Sequence, residues 1–527
     1  MKRSTIIILL VIATGVYSLF KYVIPRTPKS QIVGLTREPN TLNPLFELNS
    51  EAKQITNIIF DGLTNPVGIS NNQQQYTMGL ASRLIEDAND HRKWTVVLKR
   101  GIKWHHDVDF TADDVIFTWD AIHQVNSPGR IRLDRFIAGM QKKDDYSIEV
   151  RLRDERISER VQDLLSFKIV PRMVEPSLGS NGIMPTNMND ASRVVNAFNY
   201  SPKGTGCYYI ADRPSSGEIL LAANELGVFG KPSIEKIQFK RYPGWDVVIN
   251  NLIKGVIKLT ADVPTSYFSR LEQSDVNFKE YSPYAFHGIV FNTQSSPFND
   301  RTKRVGVAHA LDRLELAAAF FPQARNVSDY LNQSIYPYNY EHVLENPDVF
   351  SSSNDYNPDR AGEALDGLSF DFFFNPEEDG EYARSLARSF QQFLADVNVT
   401  VNLVEAPNTA IFYSRLESGR FDAAFVKFEG FDHFYEMYDL LEKNGSKNYA
   451  GYVNSQVING LSDLKLTLSY DDIARITGQI HQAVDQDMPI YPLFSIPFRA
   501  YHSPKMTNVY VNPEYYFNMI HQFRENK

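Results

Sequence analysis

A chain of 527 residues is too long for one hydrophobic core, and at about 100–200 residues per domain we expect about three lobes. Its formal charge of −9 gives no basic field that would attract nucleic acid, so no nucleic-acid partner is expected. The single cysteine, Cys207, excludes an intramolecular disulfide, a cysteine-based zinc site, an iron–sulfur cluster and a lipid-modified cysteine near the N-terminus.

The N-terminal segment joins a basic start to an apolar run. Lys2 and Arg3 precede the uncharged residues 4–20, and Lys21 follows them. The run is longer than the apolar core of a signal peptide, about 7–15 residues, and shorter than a membrane span of about 20. Residues 1–30 are predicted to be either a cleaved signal peptide or an uncleaved membrane anchor with a tether. Both alternatives place the body in the periplasm, either free or tethered, whereas a buried core helix fits the basic start less well.

After residue 30, strand-like and helical segments alternate, as in α/β proteins. Alternating apolar residues predict strands at 94–98, 147–152 and 236–242. Apolar stripes at helical spacing predict helices at 381–397 and 470–487. Each helix precedes a predicted strand, at 399–406 and at 490–494.

The stretch GIKWHHDVDFTADDVIFTW, residues 101–119, collects histidines and aspartates that would suit a metal ion. His105 and His106 are adjacent, however, so their side chains point to opposite faces of a strand or diverge by about 100° in a helix. The HExxH-type spacing that brings two imidazoles together is absent. No metal site is therefore predicted, and the isolated His287, His433 and His502 are read as packed or surface side chains.

A structural interpretation explains more of this stretch. Trp104 and Phe110 flank a tight polar turn, and Thr111 follows as the N-cap of a helix. Asp114 stands three residues later, where it completes a capping box. The stretch therefore predicts a turn followed by a helix.

The longer segment WTVVLKRGIKWHHDVDFTADDVIFTWDAI resembles the hallmark segment of the family 5 extracellular solute-binding proteins, the peptide- and nickel-binding receptors of ABC importers. The positions that fit the family pattern are Trp94, Leu98, Gly101, Lys103, His105, Phe110, Thr111, Ala112, Asp114, Val115 and Phe117. His106 and Val108 depart from it. Further similar segments lie at 37–45, 57–66, 235–255, 288–313, 419–431, 448–461 and 487–501, so the resemblance covers nearly the whole chain after residue 30.

The resemblance implies an α/β fold of the type II periplasmic-binding-protein kind, with two hinged lobes and an additional third lobe. The implied boundaries are 31–75, 200–284 and 489–527 for lobe I, 76–199 for lobe II and 285–488 for lobe III. It also implies capture without chemistry, in which an oligopeptide or similar small solute is held between lobes I and III and delivered to an ABC permease. No enzyme activity, cofactor or metal is expected, and a monomer is expected.

Two stretches match the segments that line the ligand cleft in the family. The first is Asn49, Ser50 and Glu51, before a predicted helix. The second, after a predicted strand, consists of Phe428, Glu429, Gly430, Phe431 and Asp432.

The second stretch departs from the peptide-binding pattern W-x-A-D-Y, whose aspartate holds the ligand's α-ammonium group. Phe428 replaces the tryptophan, and Phe431 stands at the position of the aspartate. The hypothesis is that Glu429 or Asp432 contacts the ligand instead, and the alternative is that both are solvated loop acids.

Two further residues of lobe I bear on the cleft. Trp245 follows Pro243-Gly244 and is a candidate for lining it, with a core position as the alternative. The acid of the family's G-E-x-D segment is missing from residues 255–258, and Asp262 is its nearest substitute.

Two rival functions remain. The first is an enzyme, against which the chain lacks GxSxG, HExxH, P-loop and Rossmann glycine patterns. The second is a membrane-anchored sensor or scaffold of the same fold that binds a ligand or partner protein without import.

Overall fold

The computed structural model describes residues 30–46, 48–70, 73–125, 127, 129–155, 161–172, 202–281, 285–313, 315–316, 356–379, 381–429, 436–464, 470–494, 498–512 and 515–526. The predicted signal peptide or anchor lies outside them, apart from Ser30. Within these ranges no helix has both the length and the hydropathy needed to cross a bilayer.

The strands follow one another along nearly the whole described chain. They are β1 (Gln31–Leu35), β2 (Thr64–Ser70), β3 (Gln73–Met78), β4 (Ala81–Glu86), β5 (Lys93–Leu98), β6 (Ile137–Asp144), β7 (Ser147–Leu152), β8 (Tyr208–Asp212), β9 (Glu218–Ala223), β10 (Lys236–Arg241), β11 (Leu259–Val263), β12 (Asn277–Tyr281), β13 (Ala285–Phe291), β14 (Ser369–Phe374), β15 (Thr400–Glu405), β16 (Ala423–Glu429), β17 (Ile490–Phe494), β18 (Phe498–His502), β19 (Met506–Thr507) and β20 (Arg524–Glu525).

The helices lie between these strands. They are α1 (Ser50–Ile59), α2 (Ala112–Gln124), α3 (Arg130–Phe136), α4 (Val161–Leu164), α5 (Trp245–Ile253), α6 (Phe268–Glu272), α7 (Arg301–Ala310), α8 (Pro358–Leu365), α9 (Pro376–Asp379), α10 (Glu381–Ala395), α11 (Thr409–Glu417), α12 (Glu436–Leu441), α13 (Ser455–Leu464) and α14 (Tyr470–Asp487). Short 3-10 turns cover Thr265–Tyr267 and Ile520–Gln522.

A seven-stranded mixed sheet has the order β12-β18-β11-β1-β10-β9-β8. Its central strand β1 is parallel to both neighbours, β10 and β11. Most of β1 is buried, as expected for a strand that has parallel partners on both sides. The outer strands β8, β9, β12 and β18 are antiparallel to their neighbours.

A five-stranded sheet has the order β15-β14-β16-β13-β17. Strand β14 is parallel to β15 and β16, whereas β13 is antiparallel to β16 and β17. Its core is rich in phenylalanine. The ring of Phe390 on α10, for example, stacks on Phe372 of β14 with 4.0 Å between ring centroids.

A four-stranded antiparallel sheet has the order β4-β5-β7-β6, and β2-β3 and β19-β20 form separate two-stranded ribbons. Buried and more exposed residues alternate along β7, which is the pattern of a sheet with one face on a core. Helix α2 packs near β6 of this sheet.

The predicted elements are found with small differences at their ends. The strand at 147–152, the helix at 470–487 and the strand at 490–494 have the predicted bounds. The other predictions correspond to Lys93–Leu98, Lys236–Arg241, Glu381–Ala395 and Thr400–Glu405. The helix after Thr111 is confirmed, and the Asp114 carboxylate accepts a hydrogen bond from the Thr111 amide at 2.9 Å.

Candidate functional site

The topology of the seven-stranded sheet indicates where a ligand would bind. In open α/β sheets, ligands bind beyond the carboxyl ends of parallel strands. Strands β1, β10 and β11 end at Leu35, Arg241 and Val263. The segments that follow these three ends therefore form one candidate wall, and the loop from residue 36 to the start of α1 is its longest part.

Two asparagines fix this loop onto α1. The Asn49 side chain caps the helix, accepting hydrogen bonds from the amides of Ala52 at 3.0 Å and Asn40 at 3.3 Å. The Asn40 side chain accepts in return from the Asn49 amide at 3.1 Å. The side-chain amide nitrogen of Asn49 also donates to the Glu38 carbonyl at 2.9 Å. The start of α1 is thus held rigidly beside the end of β1.

The next two predicted residues lie in a charged cluster at the first turn of α1. The Glu51 side chain is buried and accepts a hydrogen bond from Arg37 at 3.0 Å. The Ser50 hydroxyl donates to the other Glu51 oxygen at 3.3 Å. The Arg37 side chain, 68% exposed, covers this pair and presents its guanidinium to solvent.

Asp262, the predicted substitute acid, joins the same cluster from β11. Its carboxylate accepts hydrogen bonds from the Tyr281 hydroxyl at 2.5 Å and the Tyr516 hydroxyl at 2.8 Å. Burial, and to a smaller extent the charge of Glu51, raises the pKa of the Asp262 carboxyl. Asp262 therefore ties β11 to β12 and to the C-terminal segment, close to Glu51 of α1.

Trp245 begins α5 and follows the end of β10 closely. Its side chain is half-buried and packs against a small separate core that includes Val248, Ile249 and Leu252. This packing agrees with the alternative interpretation of Trp245 as a core residue, and a role in lining the cleft stays a prediction.

The second predicted stretch begins at the carboxyl end of β16, next to the parallel strand β14. Phe428 is 1% exposed, and its ring stacks on Phe286 with 4.8 Å between centroids. It therefore supports the strand from inside the core. Glu429 ends the strand, where its backbone pairs with Ala285. Gly430, Phe431 and Asp432 lie outside the described residues, so the proposed acidic ligand contact stays a prediction.

One cavity borders the loop after β1, and another borders the end of that loop and α1. One, of about 340 Å³, is lined by the loop residues Arg37 and Glu38 together with Arg213, Glu218 and Arg241. The other, of about 270 Å³, is lined by residues before and along α1 and by segments near α2, α3 and α4. Both the charged loop and α1 thus border space that a solute can enter.

His105, in the stretch 101–119, has a structural role. The His105 ring accepts a hydrogen bond from the Gly204 amide at Nδ1 and donates to the Gly206 carbonyl from Nε2, both at 3.1 Å. Burial lowers the pKa of His105 to about 4. Within the described part of the chain, no group of three histidine, cysteine or acidic side chains could hold a metal ion.

Sequence reasoning missed the tyrosines around Asp262 and the buried charges below α1. Tyr281 and Tyr516 lie far from Asp262 in sequence, and no local pattern pairs them. Lys168, in the apolar run FKIV, did carry a signal, because a lysine inside an apolar run needs a partner or a cavity.

The chain is similar to known solute-binding proteins over most of its length. The family described as bacterial extracellular solute-binding proteins, family 5 Middle, matches residues 75–448. The oligopeptide-binding protein AppA of Bacillus subtilis is 21% identical over 88% of this chain and 86% of its own length. The periplasmic oligopeptide-binding protein OppA of Salmonella typhimurium is 22% identical over 92% of this chain and 89% of its own length.

Solved structures show the same fold. The structure of AppA from Bacillus subtilis in complex with a nonapeptide superimposes with a TM-score of 0.73 at 20% identity, covering 95% of this chain and 100% of that one. The predicted α/β fold of the type II periplasmic-binding-protein kind is confirmed. Since the family match spans most of the chain, this protein belongs to the family 5 bacterial extracellular solute-binding proteins.

Proposed function

We propose that this protein captures an oligopeptide or similar small solute outside the cytoplasm and delivers it to an ABC import permease. The observation that carries the proposal is that β1, β10 and β11 end at one edge of their sheet, where Arg37, Ser50 and Glu51 form a charged cluster and cavities border the loop of residues 36–49 and α1. The relatives AppA and OppA are named for binding oligopeptides, which supports an oligopeptide as the ligand class.

The opposite wall, in this proposal, is the carboxyl end of β16. Strand β14 is parallel to β16 and pairs with it at the start of β16, so the rule that ligands bind beyond the carboxyl ends of parallel strands is extended to this sheet. The ligand would lie between the two sheets, and Glu429 or Asp432 would pair with a cationic group of it. A charge-assisted hydrogen bond of this kind contributes about 1.5–3 kcal/mol.

The chain connections support a hinge between the two sheets. The chain leaves the seven-stranded sheet after Tyr281 and begins β13 at Ala285. It leaves the five-stranded sheet after Phe494 and begins β18 at Phe498. Two short crossings of this kind are where rotation of one lobe against another is absorbed. The lobe boundaries predicted from the sequence are proposed on the same grounds.

Cargo capture is tested by native mass spectrometry of the purified protein, followed by calorimetry with each peptide recovered. We expect a retained mass in the oligopeptide range that is lost on mild denaturation. A protein that carries no cargo and binds no peptide from a protein digest would contradict the proposal. Small-angle scattering with and without peptide tests closure.

The acidic contact is tested by the double substitution Glu429→Ala and Asp432→Ala. We expect about 10-fold weaker binding or more, because a charge-assisted bond is lost. The control is Asp359→Ala with Glu363→Ala, two exposed acids on α8 beside the same sheet, for which affinity should not change. Unchanged affinity in the first double variant would show that these are solvated loop acids.

A further inference from the structure

The cavity of about 270 Å³ beside α1 is apolar over much of its wall. Its apolar side chains come from the loop before α1 and from the segments around α2, α3 and α4, and include Leu45, Phe46, Ile122, Leu133, Leu164 and Phe167. Pockets for whole small molecules are about 300–1,000 Å³. This cavity is therefore of a size for one residue of a larger ligand or for a short-chain compound.

Lys168 also lines this cavity. Lys168 directly follows the turn at residues 165–167, and its backbone pairs with Gly62 through an isolated bridge. The Lys168 ammonium makes no hydrogen bond or ion pair with any of the described residues. A cation that lines an apolar cavity without a direct partner is costly unless a ligand supplies the counter-charge.

Asp61, the acid whose charge acts on Lys168, does not meet that need by direct contact. Its carboxylate accepts hydrogen bonds from the Thr205 hydroxyl and the Asn65 side chain, both at 3.0 Å. It acts on Lys168 only as a charge at longer range, and burial raises the pKa of the Asp61 carboxyl.

Lysine side chains outnumber acidic ones among the described residues that line the cavity. Lys53 and Lys168 line it, against one acid, Asp163, which already accepts a hydrogen bond from the Tyr76 hydroxyl at 2.6 Å. Other polar lining residues are Thr56, Asn57, Ser127, Ser166 and Tyr515. The lining suits an apolar body that carries one negative group.

We propose that this cavity binds the carboxylate of an apolar residue or short apolar acid, with Lys168 as its ion-pair partner. Two sources supply this chemistry: the C-terminal residue of a peptide and a free short-chain carboxylic acid. The peptide source rests on the proposed function, whereas the free acid does not.

A pH dependence follows from the position of Lys168. Burial lowers the pKa of its ammonium to about 8. Carboxylate binding favours the protonated amine, so affinity is close to its maximum at pH 7 and falls as the amine deprotonates through pH 8 and above. Asp61 and Cys207 also act electrostatically on Lys168. Burial raises the pKa of both groups, so the Cys207 thiol does not ionise at a lower pH than usual.

The first experiment uses 4-methylpentanoate and its amide, titrated by calorimetry at pH 7 and pH 9. We expect the acid to bind about 10- to 100-fold more tightly than the amide at pH 7. We also expect the acid to bind about 10-fold more weakly at pH 9 than at pH 7, since one amine in about ten stays protonated there. The same titrations with trileucine and trileucine amide test the peptide source.

The variants separate charge from folding. Lys168→Met should lose the preference for acid over amide, whereas Lys168→Arg should keep it and show no decline between pH 7 and pH 9. Lys254→Met removes an exposed lysine elsewhere and should behave as wild type. Thermal unfolding of each variant shows whether it is folded. If Lys168→Met does not fold, the absence of a pH-dependent decline in Lys168→Arg still tests the role of Lys168.

The outcomes are distinct. Acid selectivity that depends on Lys168 supports the inference, with the peptide or the free acid as the source according to which probe binds. Equal binding of acid and amide, binding unaffected by Lys168→Met, or no binding of either acid overturns it. Captured peptides whose acid and amide forms bind alike would overturn this inference and leave the proposed function standing. Lys168-dependent binding of 4-methylpentanoate without peptide capture would support this inference and overturn the proposed function.

Discussion

At the scale of single residues, His105 illustrates how a potential metal ligand is used in packing. Both ring nitrogens bond to the backbone of the segment around Gly204 and Gly206, and these bonds fix the neutral Nε2–H tautomer. That segment also bonds to the end of α1, where the Gly206 amide donates to the Ile59 carbonyl at 2.8 Å. His105 therefore helps to hold the turn of residues 104–110 against α1.

Substituting His105→Ala should lower the free energy of unfolding by about 1–3 kcal/mol, because the Gly204 amide loses its acceptor in a poorly solvated position. Urea denaturation at pH 7 measures this. His91→Ala is the matched control, since His91 is 57% exposed and pairs only with Glu86 at the surface. A cost within about 0.5 kcal/mol for both variants would contradict the assigned role.

His105 should also make the free energy of unfolding depend on pH. The pKa of His105 in the folded protein, about 4, is below its ordinary value of 6.5. As pH falls, His105 is therefore protonated in the unfolded chain before it is protonated in the folded protein. The stability that neutral His105 contributes is present above about pH 6.5 and is lost between pH 6.5 and 4. Denaturation from pH 7 to pH 4 should show a smaller loss for His105→Ala than for wild type. Parallel pH profiles would refute this.

The capping box at Thr111 and Asp114 is a residue-scale feature that the sequence predicts, because its partners are three positions apart. The bonds from Tyr281 and Tyr516 to Asp262 are of the opposite kind. Asp262 has a positive φ of 56°, which no local pattern predicted, and its partners lie 19 and 254 positions away. Contacts of this range depend on the fold and cannot be found by periodicity.

At the scale of secondary structure elements, the start of α1 connects helix stability to the proposed ligand wall. Its cap, Asn49, bonds to α1 and to the loop after β1. Helix α8 has a cap of the same type, Asn357, whose side chain accepts from the Arg360 amide at 3.1 Å. The two caps differ in that only Asn49 also fixes the loop next to Arg37.

This difference gives a paired prediction. Asn49→Ala and Asn357→Ala should each lower the free energy of unfolding by about 0.5–2 kcal/mol. Only Asn49→Ala should also weaken cargo binding, because the loop of residues 36–49 loses its anchor. Thermal unfolding and calorimetry with the recovered cargo measure both effects. Equal cargo affinity in the two variants would exclude this loop from the binding wall.

Element positions could be predicted well where apolar periodicity is strong, as along α14 and β7. Their pairing could not. Strands β13 and β17 are neighbours in one sheet although about 200 residues separate them, and β14 pairs with β16 although three helices and β15 lie between them in the chain. Long-range pairing is decided by which apolar faces are buried together, and the resemblance to a known family supplied that information.

At the scale of the whole molecule, Arg135 joins the region of the four-stranded sheet to that of the five-stranded sheet. The guanidinium of Arg135, on α3, lies 4.6 Å from the ring centroid of Tyr438 and 4.0 Å from a Glu442 oxygen. Tyr438 is on α12, the first described helix after the predicted ligand stretch at 428–432. The contact therefore bears on how these regions close around a ligand.

Replacing Arg135 with methionine should favour an open form, because the cation–π contact and the ion pair exist only where these regions meet. We expect cargo affinity to fall about 2- to 10-fold and the radius of gyration without ligand to rise, as measured by calorimetry and small-angle scattering. Arg475→Met is the control, since Arg475 pairs with Asp472 within α14. Affinity and scattering equal to wild type would rule out a role in closure.

The two crossings between the sheets have a consequence for modularity. Because His287 near the start of β13 pairs with Phe494 at the end of β17, the segment from 285 to 494 begins and ends at adjacent points of one sheet. Such a segment resembles an insertion whose two ends leave the host side by side, an arrangement that tolerates excision and transplantation. Grafting these residues into a related protein would exchange the region of the five-stranded sheet and leave the seven-stranded sheet intact.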